Sequence, residues 1–188
     1  MNFLKIKNFL LLFLIIFSYL ISVAKTYAVD ITADRTISSS SDGDQYNIKT
    51  NNDIDVIVTN NSTLERNQKI FNVSAASLTG SSITIHLGSS VIAETNSIFS
   101  NGAELTITNT GTIEATNSKA INVSNSDGVS ITNNNNGVIK SNNNTILGDA
   151  GTGADNVTID NSGEIYTTAT GTESSAIVFA NNDTGNTI

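Results

Sequence analysis

The side chains able to do chemistry in this chain are few and scattered. Glu94, Glu114, Asp160 and Glu164 stand beside regularly spaced apolar residues, Arg35 and Arg66 are the only arginines, and His86 is the single histidine. A glycoside-cleaving pair needs two carboxyl groups about 5–9 Å apart, one of them with a raised pKa in a cleft. Glu114 and Glu164 fall at neighbouring positions of different sequence repeats, with Lys140 in the repeat between them. No cleft-forming pattern surrounds them, so they read as solvated charges. Neither arginine sits in a motif. His86 replaces an outward Thr and, with no Cys and no second His to join it, reads as a surface imidazole rather than a metal ligand. No catalytic, cofactor-binding or metal-binding residue is assigned, and no cofactor is expected.

Asp42-Gly43-Asp44 and the loop Gly148–Asn156 have the composition of calcium-binding loops but neither the glycine-rich β-roll spacing nor the EF-hand pattern. They read as turn insertions. The N-x-S/T triplets at Asn72, Asn122, Asn156 and Asn182 are what a chain rich in these residues produces without any signal for glycosylation. Thr106 and Thr108 stand side by side, with Ser130 and Thr132 in the next repeat. Flat hydroxyl ladders of this kind order water in ice-binding β-helices. Here His86 and Asp160 are read as interrupting the ladder on either side, and the simpler account is that Thr suits exposed strand positions.

The elements that must hold these residues are short strands. In Leu105–Val123, LTITNTGTIEATNSKAINV, three apolar/polar alternations are separated by Asn109-Thr110-Gly111 and Asn117-Ser118-Lys119. Alternation places Leu105 and Ile107, then Ile113, then Ile121 and Val123 on one face. The rest of the chain repeats this unit. First strands carry Val29 and Ile31, Val56 and Val58, Ile83 and Ile85, Val129 and Ile131, and Val157 and Ile159. Second strands carry Ile37, Leu64, Val91, Ile139 and Ile165. Third strands carry Tyr46 and Ile48, Phe71 and Val73, Phe99, Ile146 or Leu147, and Ile177 and Phe179. A six-residue offset separates first from second strands, except where Asn133–Asn136 adds two residues. Ile188 occupies the next anchor position, so the chain is expected to continue into a seventh coil.

The fold class predicted is all-β, a right-handed parallel β-helix of about six three-strand coils. An antiparallel sandwich is the competing architecture, disfavoured by the regular offset. Before the repeats, Lys5 and Lys7 precede an apolar run from Phe9 to Leu20. Residues 1–28 read as a secretory signal peptide cleaved after Ala28, with Ala24 as second choice and an uncleaved anchor as the alternative. Residues 29–188 form the repeat domain. Loss of Lys5, Lys7 and Lys25 leaves 6 basic and 17 acidic residues, a net charge of 6 − 17 = −11. Such a surface repels phosphate backbones, which argues against nucleic acid as a partner.

The segments LTITNTGTIEA, VSITNNNNGVIKS and VTIDNSGEIYT resemble the (L/V)-T-I-x-N-x-G-x-I repeat of bacterial autotransporter passenger domains and adhesin-like outer-membrane proteins, with AINV and AIVF similar to its third strand. The resemblance covers most of residues 29–188 and is clearest from Ile83 onward. It implies a pectin-lyase-like β-helix, exported by the Sec pathway to the cell surface or medium, with a binding or structural role. Its partner would be a surface ligand: a host cell, a polysaccharide or a neighbouring cell. A C-terminal membrane β-barrel is implied in the full-length protein, although no run of amphipathic ten-residue strands closes this sequence. Pectate-lyase-like enzymes share the architecture, so a carbohydrate-active enzyme is the alternative; it would require acidic or basic residues clustered on one face.

Overall fold

The computed structural model describes residues 28–49, 52–59, 61–74, 78–102, 104–148, 153–170, 174–180 and 183–188. The apolar leader with Ala24, residues 149–152 of the loop Gly148–Asn156, and Asn182 lie outside them. Ala28 opens the first strand.

The described chain contains strands and turns and no helix. Its first coils hold β1 (Ala28–Ile31), β2 (Arg35–Ile37), β3 (Ser41–Asp42), β4 (Gln45–Ile48), β5 (Asp55–Val58) and β6 (Thr63–Arg66). The middle coils hold β7 (Phe71–Val73), β8 (Ser81–Ile85), β9 (Ser90–Ala93), β10 (Ile98–Ser100), β11 (Leu105–Asn109) and β12 (Thr112–Ala115). The last hold β13 (Ile121–Asn122), β14 (Ser130–Asn133), β15 (Val138–Ser141), β16 (Ile146–Leu147), β17 (Thr158–Asn161), β18 (Glu164–Thr167) and β19 (Ile177–Val178).

Each strand pairs in parallel with the strand three places further on. Three sheets result. Sheet 1 runs β2-β5-β8-β11-β14-β17, sheet 2 runs β3-β6-β9-β12-β15-β18, and sheet 3 runs β1-β4-β7-β10-β13-β16-β19. This is a parallel β-solenoid of about six coils, and the absence of any antiparallel pairing among the described strands rules out the sandwich.

Columns of like residues fill the interior. Val56, Ile83, Ile107, Ile131 and Ile159 stack in sheet 1, and Leu64, Val91, Ile113, Ile139 and Ile165 in sheet 2. Tyr46, Phe71, Ile98, Ile121, Ile146 and Ile177 stack in sheet 3. Burying each such side chain contributes about 1.5–3 kcal/mol, which one isolated coil could not collect because its apolar edges face no neighbour. In the first coil the Arg35 guanidinium lies 5.5 Å from the ring centre of Tyr46. At the upper end Ile165, Ile177 and Phe179 are only partly buried, and Thr187 pairs with Thr158.

Three details differ from the sequence reading. Val29 and Ile31 pair with Tyr46 and Ile48 in sheet 3, while Ile37 pairs with Val58 in sheet 1, so the first coil is out of phase by one strand. Ile107 stacks on Ile83 rather than Ile85. The offset from sheet 1 to sheet 2 is therefore eight residues from Val56 to Leu64, Ile83 to Val91 and Ile131 to Ile139, and six from Ile107 to Ile113 and Ile159 to Ile165. Both values are even, so either keeps the apolar set on the inner face. Lastly, Phe99 points outward, with the Lys69 ammonium 3.4 Å from its ring centre, and Ile98 takes the interior place.

Candidate functional site

The N-x-G segments of the repeat form a buried polar spine. Once Ile107 is seated on Ile83, the column that begins Ile37, Val58, Ile85 continues as Asn109, Asn133 and Asn161. Asn109 and Asn133 are wholly buried. Asn109 Nδ2 donates to Asn133 Oδ1 at 2.8 Å, and Asn133 Nδ2 donates to Asn161 Oδ1 at 2.8 Å. The same amides reach the carbonyls of Val138, Gly137 and Glu164, and Asn109 Oδ1 accepts from the Gly111 amide. The ladder thus satisfies main-chain groups where the chain turns from sheet 1 to sheet 2. Gly111 is required by close approach: a Cβ there would collide with the carbonyl oxygens of Ser89 and His86. Period-two patterning hides this spine because Asn reads as a turn residue; only the pairing partner reveals it.

The charged candidates are dispersed. Glu114 pairs in register with Lys140, and their side chains form an ion pair at 3.0 Å on the outer face of sheet 2. The hydrogen bond to Glu114 raises the Lys140 pKa, against a smaller opposing effect of burial. The residue above Lys140 is Tyr166, whereas Glu164 pairs with Val138, so Glu114 and Glu164 do not share a column. Glu94 lies at the following corner, accepting from Asn117 Nδ2 at 2.8 Å. Asp160 is exposed at the top of sheet 1.

Arg66, which sits in no sequence motif, is an inward residue, only 8% exposed, in the column of Ala93, Ala115 and Ser141. Its guanidinium donates to Gln45 Oε1 at 2.7 Å, to the Lys69 carbonyl and to Gln68 Oε1, while Nε has no partner. Burial lowers its pKa, offset in part by the charge of Asp44. A shallow groove of about 340 Å³ runs outside this corner, between Glu65, Asn67, Glu94 and Asn117.

His86 lies one residue beyond β8, not within the outward Thr column. Its Nδ1 is 3.3 Å from Thr59 Oγ1. The place assigned to it is held by Thr84, directly beneath Thr108. In the calcium-like loops, the Gly43 amide donates to the Glu65 carbonyl, and Asp155 Oδ1 accepts from the Thr184 amide. Among the described residues no three His, Asp or Glu side chains are grouped as a metal site would require. Asn72 donates to Asn47, Asn122 accepts from the Ser124 amide, and Asn156 adopts a left-handed turn conformation at φ 56°.

The regular feature left on the surface is the outer face of sheet 1. Two columns lie there side by side: Asp55, Ser82, Thr106, Ser130, Thr158, and Ile57, Thr84, Thr108, Thr132, Asp160. Comparison of the chain with protein-family models, with curated proteins and with solved structures finds no match.

Proposed function

We propose that this chain is an exported, non-catalytic β-helix scaffold at the bacterial cell surface, comparable to an autotransporter passenger or adhesin. The observation that supports the reading is the three-sheet stack, whose charged side chains are, among the described residues, paired or scattered rather than convergent. A rod of stacked coils holds a binding surface away from its attachment point and needs no cleft. The basic and apolar residues at the start of the chain support export, and the N-x-G repeat supports kinship with passenger domains. On this reading a membrane β-barrel lies in the full-length protein and anchors the rod.

The test is to express the complete gene in a Gram-negative host and treat intact cells with protease. Loss of the repeat domain without lysis, and a mature N-terminus at Val29, are the expected results. A chain that stays protected inside the cell with residues 1–28 attached overturns the surface reading. Release of new sugar ends from polysaccharides by the purified protein overturns the non-catalytic part.

A further inference from the structure

We propose that the outer face of sheet 1 is a water-ordering surface that binds ice. Register is the first argument. Ser82 and Thr84, Thr106 and Thr108, and Ser130 and Thr132 occupy the same two positions on β8, β11 and β14, and Thr158 extends one column onto β17. Successive rungs of a parallel sheet are about 4.8 Å apart, and side chains two residues apart along a strand are separated by roughly 6.6 Å. The hydroxyls therefore lie on a near-rectangular mesh held by main-chain pairing, not by flexible loops.

The second argument is their hydrogen-bonding state. Ser82 Oγ donates to Asp55 Oδ1 at 2.6 Å. The hydroxyls of Thr84, Thr106, Thr108, Ser130, Thr132 and Thr158 make no hydrogen bond among the described residues, and each is exposed or partly exposed. They are left to bind water, and a fixed array presets the positions of that water before it meets a crystal, which removes part of the ordering cost.

The third argument is confinement. Were the pattern only the preference of Thr for exposed strands, the other outer faces would share it. Sheet 2 instead carries Glu114, Lys140 and Tyr166 in one of its outer columns, and sheet 3 carries Phe99 between Asn72 and Asn122. Between Asp55 and Asp160 the sheet 1 array holds no charge to impose its own hydration and no aromatic ring on which a sugar could stack. Ice is the partner whose chemistry matches: neutral, periodic, and built wholly of hydrogen-bonding groups. The inference is independent of where the chain is located.

The test uses the full chain, with ice grown slowly from dilute solution and the protein in ice and liquid compared. Thr108→Tyr breaks the middle of the array; Thr112→Tyr makes the same change on the outer face of sheet 2. Circular dichroism establishes that both variants are folded. The expected result is severalfold enrichment of the wild type and Thr112→Tyr in ice over an inert globular protein, with folded Thr108→Tyr falling to the inert level. A wild type excluded from ice, or equal retention or equal loss in both variants, overturns the proposal.

Discussion

Replacing Asn133 tests the buried spine in its most connected place. The amide accepts from Asn109 and donates to Asn161 at 2.8 Å, and reaches two carbonyls at 3.2 Å. Asn133→Ala removes two good hydrogen bonds worth about 1 kcal/mol each and opens a small void, for a total of about 3 kcal/mol. With a urea slope of about 2 kcal/mol/M, the midpoint falls by roughly 1.5 M. Asn133→Asp is worse at neutral pH, because the carboxylate sits in a fully buried position facing the oxygens of Asn161, Gly137 and Glu164. Burial raises the pKa of the introduced acid in the folded state. Its penalty is therefore full above the raised folded value, shrinks as pH falls from that value towards the unfolded carboxyl value of about 4, and is absent below it. Urea titrations followed by circular dichroism at neutral and acidic pH read both effects. A midpoint shift under about 0.3 M for Asn133→Ala, or an Asp variant no worse than Ala at neutral pH, refutes the ladder.

Ile107 is fully buried and Thr108 faces out, so Ile107→Asp abolishes the cooperative transition while Thr108→Asp changes stability by about 0.5 kcal/mol or less; equal melting shifts for the two would contradict the assigned faces. Gly111→Ala forces a Cβ against two main-chain oxygens and lowers stability by about 1–3 kcal/mol, read from the same titration. Glu114→Gln breaks a partly exposed ion pair and has an effect of at most about 1 kcal/mol that vanishes in high salt. Because Glu114 raises the Lys140 pKa, the stability from this pair is present at neutral pH and lost as pH rises through the raised lysine value. An alkaline titration comparing wild type and Glu114→Gln would show convergence at high pH, and parallel curves would contradict the pairing.

Most of the strand set and its inner faces were legible in the sequence, because buried aliphatic residues must alternate with solvated ones along a half-buried strand. Registration between coils was not. A slip of two residues leaves every face unchanged, so Ile83 and Ile85 are equivalent by pattern and are told apart only by which pairs with Ile107. The same ambiguity let Val29 and Ile31 pass for a first strand when they pair in sheet 3. Phe99 misled because its size suggests burial, whereas Ile98, one residue earlier, fills the column between Phe71 and Ile121. Both the hydroxyl array and the asparagine spine hang on that slip. Under the six-residue reading His86 interrupts the hydroxyl columns and Asn109 is a turn residue; under the observed pairing Thr84 completes a column and Asn109 is core.

Registration is therefore the claim to measure, and a chain with no Cys allows it by paired cysteines. Register partners on adjacent parallel strands lie about 4.8 Å apart, within the Cα separations of about 4.4–6.8 Å that a disulfide tolerates. Thr84→Cys with Thr108→Cys should close a disulfide readily under mild oxidation, detected as an intramolecular link between peptides of β8 and β11. His86→Cys with Thr108→Cys should remain reduced. Preferential closure of the His86 pair would contradict the stacking of Ile107 on Ile83, and with it both the asparagine spine and the hydroxyl array.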